Sequence, residues 1–102
     1  MTVYVDDMRR RANLTGRPAR WSHLMADGPY AHDQLMQAAL DLGLRPEWIQ
    51  HEGTHREHFD VTETVRQCAI AAGIAEPISY PRQTGELLAR KRITHLDTQE
   101  TR

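Results

Sequence analysis

Histidine and carboxylate side chains gather in one polar stretch, Gly53-Thr54-His55-Arg56-Glu57-His58-Phe59-Asp60, set between a short apolar run and an amphipathic segment. Together with Asp6, His23 and Asp27 they offer two kinds of chemistry. Carboxylates and neutral imidazoles can jointly hold a divalent ion, which polarises a phosphoryl oxygen or lowers the pKa of bound water. Without metal, a histidine exchanges a proton near neutral pH while a carboxylate fixes its tautomer. In a hydrolytic version Asp6, Asp27 and Asp60 hold the metal or orient a histidine, His58 or His23 handles the proton, and Arg66 steadies a phosphate. Arg20 and Arg56 add guanidinium groups, and Gly53 and Thr54 allow close backbone approach. The ensemble suits a small phosphate-bearing molecule, a nucleotide or derivative, and does not separate binding one from cleaving one.

A second pattern overlaps the first. His51-Glu52-Gly53-Thr54-His55 matches H-E-x-x-H, in which a helix sets two imidazoles one turn apart on zinc and the glutamate activates water. Gly53 weakens the required helix by about 1 kcal/mol relative to alanine. His58 follows His55 too closely for the longer spacing of the metzincins. A zinc metallopeptidase therefore ranks third among the functional expectations.

Each of these residues also has a structural role open to it. Asp60 and Glu63 have capping-box spacing, Asp27 precedes the Gly28 turn, and Asp6 or Asp7 can end a strand. His23 sits in an apolar run where a buried ring needs hydrogen-bond partners. Trp21 and Trp48 read as core or wall residues, and Arg90-Lys91-Arg92 complements a helix C-terminus.

The elements that must position these groups belong to one small domain. The 102 residues are 39% hydrophobic and 26% charged, enough for a single core and too few for two. A net charge of -1 excludes a generally basic nucleic-acid coat. Arg9, Arg10, Arg11, Arg17 and Arg20 nevertheless share a segment with no acidic residue, so a local anion-facing strip remains open. That strip carries the second functional expectation, a noncatalytic protein contacting nucleic acid or an acidic partner. The single Cys68 is expected on the buried face of a helix and forms no internal disulfide, in keeping with a reducing cytoplasm. There is no apolar run of membrane-spanning length, and the first residues read as a strand rather than a signal peptide.

In chain order, Val3 to Val5 reads as a buried strand, and Met8 to Arg20 as a long surface connection without apolar periodicity. Trp21 to Asp27 reads as a second strand. A helix follows from His32 or Asp33, with Leu35, Met36, Ala39, Leu40 and Leu42 at helical spacing and Gly43 as its stop. Pro46 to Gln50 is expected to be a third strand. A second helix carries Val61, Val65, Cys68, Ala69 and Ala72 and stops at Gly73. Glu76 to Tyr80 reads as an edge strand, because Pro77 donates no ladder hydrogen bond, and a short helix spans 86–93. Residues 1–96 form the domain and 97–102 a frayed polar tail. This order predicts an α/β sandwich with a mainly parallel sheet of about four strands and about three helices, whose ligands bind beyond the carboxyl ends of the strands.

Several blocks in the same order also carry a family resemblance. They are Val3-Tyr4-Val5-Asp6-Asp7-Met8-Arg9, Ser22-His23-Leu24-Met25-Ala26-Asp27, Trp48-Ile49-Gln50, Gly53-Thr54, Glu57-His58-Phe59-Asp60-Val61, Arg66 and Ala71-Ala72-Gly73. Over roughly the first three quarters of its length, the chain resembles the bacterial and phage family called domain of unknown function 4031. Extra residues around Gly28 to Ala31 lengthen the approach to the first helix relative to that pattern. The resemblance implies membership and no activity.

Overall fold

The computed structural model describes residues 2–13 and 18–100, with side chains described through residue 94. Arg17 of the arginine strip and the side chains of the expected tail lie outside the described residues. The chain runs through β1 (Val3–Val5), β2 (Arg10–Ala12), β3 (Ala19–Ala26), α1 (Ala31–Asp41), a 3-10 turn (Pro46–Trp48), β4 (Phe59–Thr62), α2 (Glu63–Ala71), β5 (Glu76–Pro77) and α3 (Arg82–Glu100).

The sheet has five strands and is mostly antiparallel, which corrects the expected parallel sheet. β3 is its centre. β1 and β2 lie end to end along one edge of β3, with Val5 opposite Leu24 and Arg10 opposite Trp21. β4 runs antiparallel along the other edge, with His23 opposite Asp60, and only β5 pairs in parallel, on β1. The cause lies in the segment Met8 to Arg20. It holds β2 and the start of β3, a hairpin-type return that forces antiparallel pairing. An exposed edge strand of arginines needs no apolar alternation, and so looks like a loop in sequence.

β3 alternates cleanly. Leu24 and Ala26 face one side, where they meet Leu35 and Ala39 of α1, Ala69 of α2 and Phe59 and Val61 of β4 in the main core. Trp21, His23 and Met25 face the other side. α3 crosses that side: its stripe Thr84, Leu87, Lys91 is buried, Thr84 bonds Asp6 and Arg90 reaches Asp27. Both α1 and α2 stop as expected. Gly43 (φ 77°) and Gly73 (φ 71°) take the left-handed conformation, and paired returns such as Ile74 N to Ala69 O and Gly73 N to Ile70 O close the last turn.

Other expectations need correction. Pro46 to Trp48 is a 3-10 turn begun by its proline, Trp48 is exposed, and only Gln50 pairs, as an isolated bridge to His58. Asp60 belongs to β4 and does not cap α2; Thr62 does, accepting from Val65 N at 3.3 Å. Buried Phe59 and Val61 alternate with half-buried Asp60 and Thr62, a period-two pattern that immediately precedes the helix. The buried face of α2 centres on Arg66 and Ala69, so Cys68 falls to the exposed side. The edge strand is only Glu76–Pro77, Leu40 is exposed, and α3 extends well beyond the expected 86–93. No helix among the described residues is long and apolar enough to cross a membrane.

Between β1 and β2, four residues, Asp6 to Arg9, oppose only Ser22 and His23. The ladder is bridged there by side chains. Asp6 Oδ1 accepts from His23 N (3.0 Å) and Met8 N (3.2 Å), and Ser22 Oγ accepts from Arg9 N (3.1 Å). Arg9 has φ 51°, the turn that lets the chain rejoin the sheet. Asp6 is only 1% exposed. Asp6→Ala would leave these donors unpaired in the interior, and should lower the unfolding free energy by about 3 kcal/mol, measured as a shift of the urea midpoint at constant slope. A change below about 1 kcal/mol would show that the bulge is held by other contacts.

Candidate functional site

The site is built on the cross-strand pair His23 and Asp60, whose side chains share the β3 and β4 face away from the main core. Two residues along from Asp60, His58 joins them on that face, and Gln50 bridges to it from the preceding turn. The ring of His58 meets that of His23 edge-on at 5.1 Å between centroids. Ligand atoms of His23, His58 and Asp60 lie within 4.8 Å of one another. Ligands of a tetrahedral ion stand about 3.4 Å apart, so about an ångström of side-chain rotation closes the set.

Both rings are held through Nδ1. His23 Nδ1 bonds Asp6 Oδ2 at 2.7 Å, and the same carboxylate oxygen accepts the Thr84 hydroxyl at 2.9 Å. His58 Nδ1 lies 2.8 Å from the Arg56 carbonyl oxygen, which only accepts, so this nitrogen carries the proton. In the neutral rings the lone pair is then on Nε2. His58 Nε2 lies 3.5 Å from Asp60 Oδ1, and Gln50 Nε2 donates to Asp60 Oδ2. A carboxylate or backbone carbonyl behind each imidazole is the arrangement that orients metal-ligating histidines.

The electrostatics follow from these contacts. Burial raises the Asp6 pKa, but the hydrogen bonds from the His23 ring and amide outweigh it and hold the carboxyl below its ordinary value. The bond to Asp6 lifts His23 above the usual histidine value against the opposing effect of burial. Burial likewise raises Asp60, and His58 overcomes it, leaving that carboxyl depressed.

Of the expected site residues, the structure brings together His23, His58, Asp60 and, behind them, Asp6. The others go elsewhere. Arg66 is turned inward, its Nε donating to the Asp6 carbonyl at 2.8 Å and its Nη1 lying 3.3 Å from Glu63. Arg20 is exposed on the opposite face of β3, and Arg56 contributes its carbonyl while its side chain is exposed. Asp27 closes the far end of β3, accepting from Thr2 N and the Tyr4 hydroxyl. Gly53 and Thr54 line a separate cavity with Asp27. The helix that an H-E-x-x-H site requires is absent: residues 51–56 form turns, with His51 at φ 54°. The paired imidazoles of that motif therefore do not share a helix face.

Several participants were missed in the sequence. Thr84 belongs to a helical stripe that only the longer α3 reveals. Glu57 organises the polar turn, accepting from Gly53 N at 3.1 Å and bonding His32 Nδ1 at 3.0 Å. Nothing in the sequence separates Glu57 from its acidic neighbours Glu52 and Asp60; only its burial in the fold does.

A small three-layer α/β domain with a half-buried cluster of two histidines and one carboxylate on the sheet face away from the main core defines the class of fold. Within it, the chain belongs to the family described as protein of unknown function DUF4031, which matches residues 3–92. Neither a curated protein nor a solved structure matches the chain significantly.

The bond to Glu57 raises the His32 pKa, opposed by burial and aided by Glu52 and Asp33. The stability this contributes is complete below the unfolded-state value of about 6.5 and is lost as pH rises through the folded value. Wild type should therefore exceed His32→Ala in urea midpoint by more at about pH 5.5 than at about pH 9. An equal gap at both would assign the effect of His32 to packing alone.

Proposed function

We propose that His23, His58 and Asp60 hold one divalent ion and that the protein acts there on a small phosphate-bearing molecule, a nucleotide or derivative. The observation that carries the proposal is the triad itself: ligand atoms within 4.8 Å, each imidazole backed at Nδ1 by an acceptor. Two imidazoles and a carboxylate are a donor set suited to zinc, iron(II) or manganese, and three protein ligands leave positions open for water or substrate. A metal so held supplies Lewis acidity toward a phosphoryl oxygen and a nucleophile at neutral pH.

The residues around it divide the remaining work. Asp6 keeps the His23 tautomer fixed, and the Arg56 carbonyl does the same for His58. Gln50 holds Asp60 at its second oxygen. Arg66 supports the site from behind, through the Asp6 carbonyl, rather than touching a phosphate. A reducing, cytoplasmic setting is in keeping with the free Cys68.

A second reading has one observation in its favour. Arg10 and Arg11 of β2 and Arg20 of β3 form an exposed basic ribbon in which Arg11 pairs directly with Arg20. It fits a noncatalytic contact with nucleic acid or an acidic protein.

Calorimetric titration of chelator-stripped protein with zinc and manganese(II) tests the first reading, followed by phosphoester assays of the loaded protein. One ion should bind per chain, and His58→Ala or Asp60→Asn should each weaken it by at least about tenfold, with Asp6→Asn weaker by about 10-fold to 100-fold. Binding that is absent, or indifferent to His58→Ala, would overturn the metal site. Steeply salt-dependent nucleic-acid binding, also indifferent to His58→Ala, would then favour the arginine ribbon.

A further inference from the structure

A cavity of about 420 Å³ opens beside α3, walled by the turn Gly28 to Ala31 that starts α1, by His32, by Gly53, Thr54 and Glu57 of the polar turn, and by Arg90 and Lys91. Its size is that of a small-molecule pocket. None of its wall residues belongs to the His23, His58 and Asp60 cluster.

Lys91 is the unexplained group in this wall. It is 8% exposed, and its Nζ has no hydrogen-bond partner. An ammonium carries three donors, and burying it unpaired is costly. Desolvation pulls its pKa below the ordinary lysine value, with Glu57 and Asp27 opposing.

Neither wall carboxylate satisfies it. Glu57 is engaged by Gly53 N and by the His32 ring, and Asp27 by Thr2 N, the Tyr4 hydroxyl and Arg90 at 3.5 Å. Among the described wall residues, Lys91 Nζ is the buried polar atom left without a hydrogen bond. Lys91 supplies donors, Arg90 is engaged on one side only and is otherwise exposed, and α1 begins here with no side chain capping it. An uncapped helix start presents N–H groups and the positive end of its dipole. Against the two bonded wall carboxylates, a buried unpaired cation, a second cation and a helix start, whose Ala31 N is bonded to Gly28 O, converge on the same space, and together they favour an anion.

We propose that this cavity is a second binding site, taking a small organic molecule through an anionic group, phosphate or carboxylate, that pairs with Lys91 and Arg90 at the start of α1. It does not depend on a metal at the histidine cluster. The remaining volume beyond one anionic group accommodates the body of the ligand, against Pro29 and Ala31.

The test uses chelator-stripped full-length protein, so that phosphate cannot register through an ion at the histidine cluster. Inorganic phosphate and acetate are titrated separately at constant ionic strength, followed by thermal unfolding and amide NMR shifts. Phosphate or acetate should raise Tm and shift the amides of Ala31, Gly53 and Thr54. Lys91→Met should fold with an unliganded Tm at least equal to wild type, because an unpaired buried cation has been removed, and should bind at least about tenfold more weakly. Arg90→Gln, at an exposed position, gives a second variant that folds irrespective of the first and should also weaken binding. Response to phosphate alone assigns a phosphorylated ligand, and equal response to acetate a carboxylate as well. No response of wild type to either anion, or a response unchanged in both variants, would overturn the proposal.

Discussion

The Asp6 carboxylate is the interaction on which both the fold and the candidate site depend. Its Oδ1 replaces the ladder where β1 breaks from β3, its Oδ2 receives His23 and Thr84, and its main-chain carbonyl receives Arg66. Four elements, β1, β3, α2 and α3, thus meet at one residue. Burial of a carboxylate is tolerable only because each oxygen is hydrogen-bonded. The same bonds fix the His23 ring, so the group that closes the sheet also prepares the imidazole. Asp7, its neighbour, points outward and accepts from Tyr80 N, tying the approach to α3 to the same corner.

The polar turn serves two places at once. From Gly53 to Glu57 it faces the cavity under α3, while His58 and Asp60 supply the histidine cluster. Alternation along the chain makes this division unavoidable: Glu57 is buried, His58 sits on the outer face and Phe59 fills the main core. Residues that are adjacent in sequence therefore divide between two chemistries. In the two proposals, metal ligation falls to the strand residues, and anion recognition to the turn, the start of α1 and the flank of α3.

Much of this was legible from residue types. The polar turn and the glycine stops of α1 and α2 follow from local signals, whereas His23, His58 and Asp60 were grouped on the expected edge of a parallel sheet and meet instead across the antiparallel pair β3 and β4. Topology was not, because the arginines of β2 hide a strand whose two faces are both exposed. Once that strand is missed, the remaining alternation of strand and helix suggests parallel crossovers. Asp60 was misplaced for a related reason. Capping-box spacing and a period-two strand coexist in Phe59 to Glu63, and pairing with β3 decides between them. Lys91 was read as a helix-end charge because its helix was taken to stop at 93, whereas α3 continues to Glu100 and buries it. Three-dimensional context, in each case, overrode a correct local rule.

The central claim is a single ion shared by His23, His58 and Asp60. Anomalous scattering recorded at the zinc edge from crystals grown with zinc tests it most directly. The account predicts one peak per chain about 2 Å from Nε2 of both histidines and from an Asp60 oxygen, with Nδ1 of His23 still on Asp6. No peak there, or zinc bound instead through Nδ1 with Asp6 displaced, would contradict it.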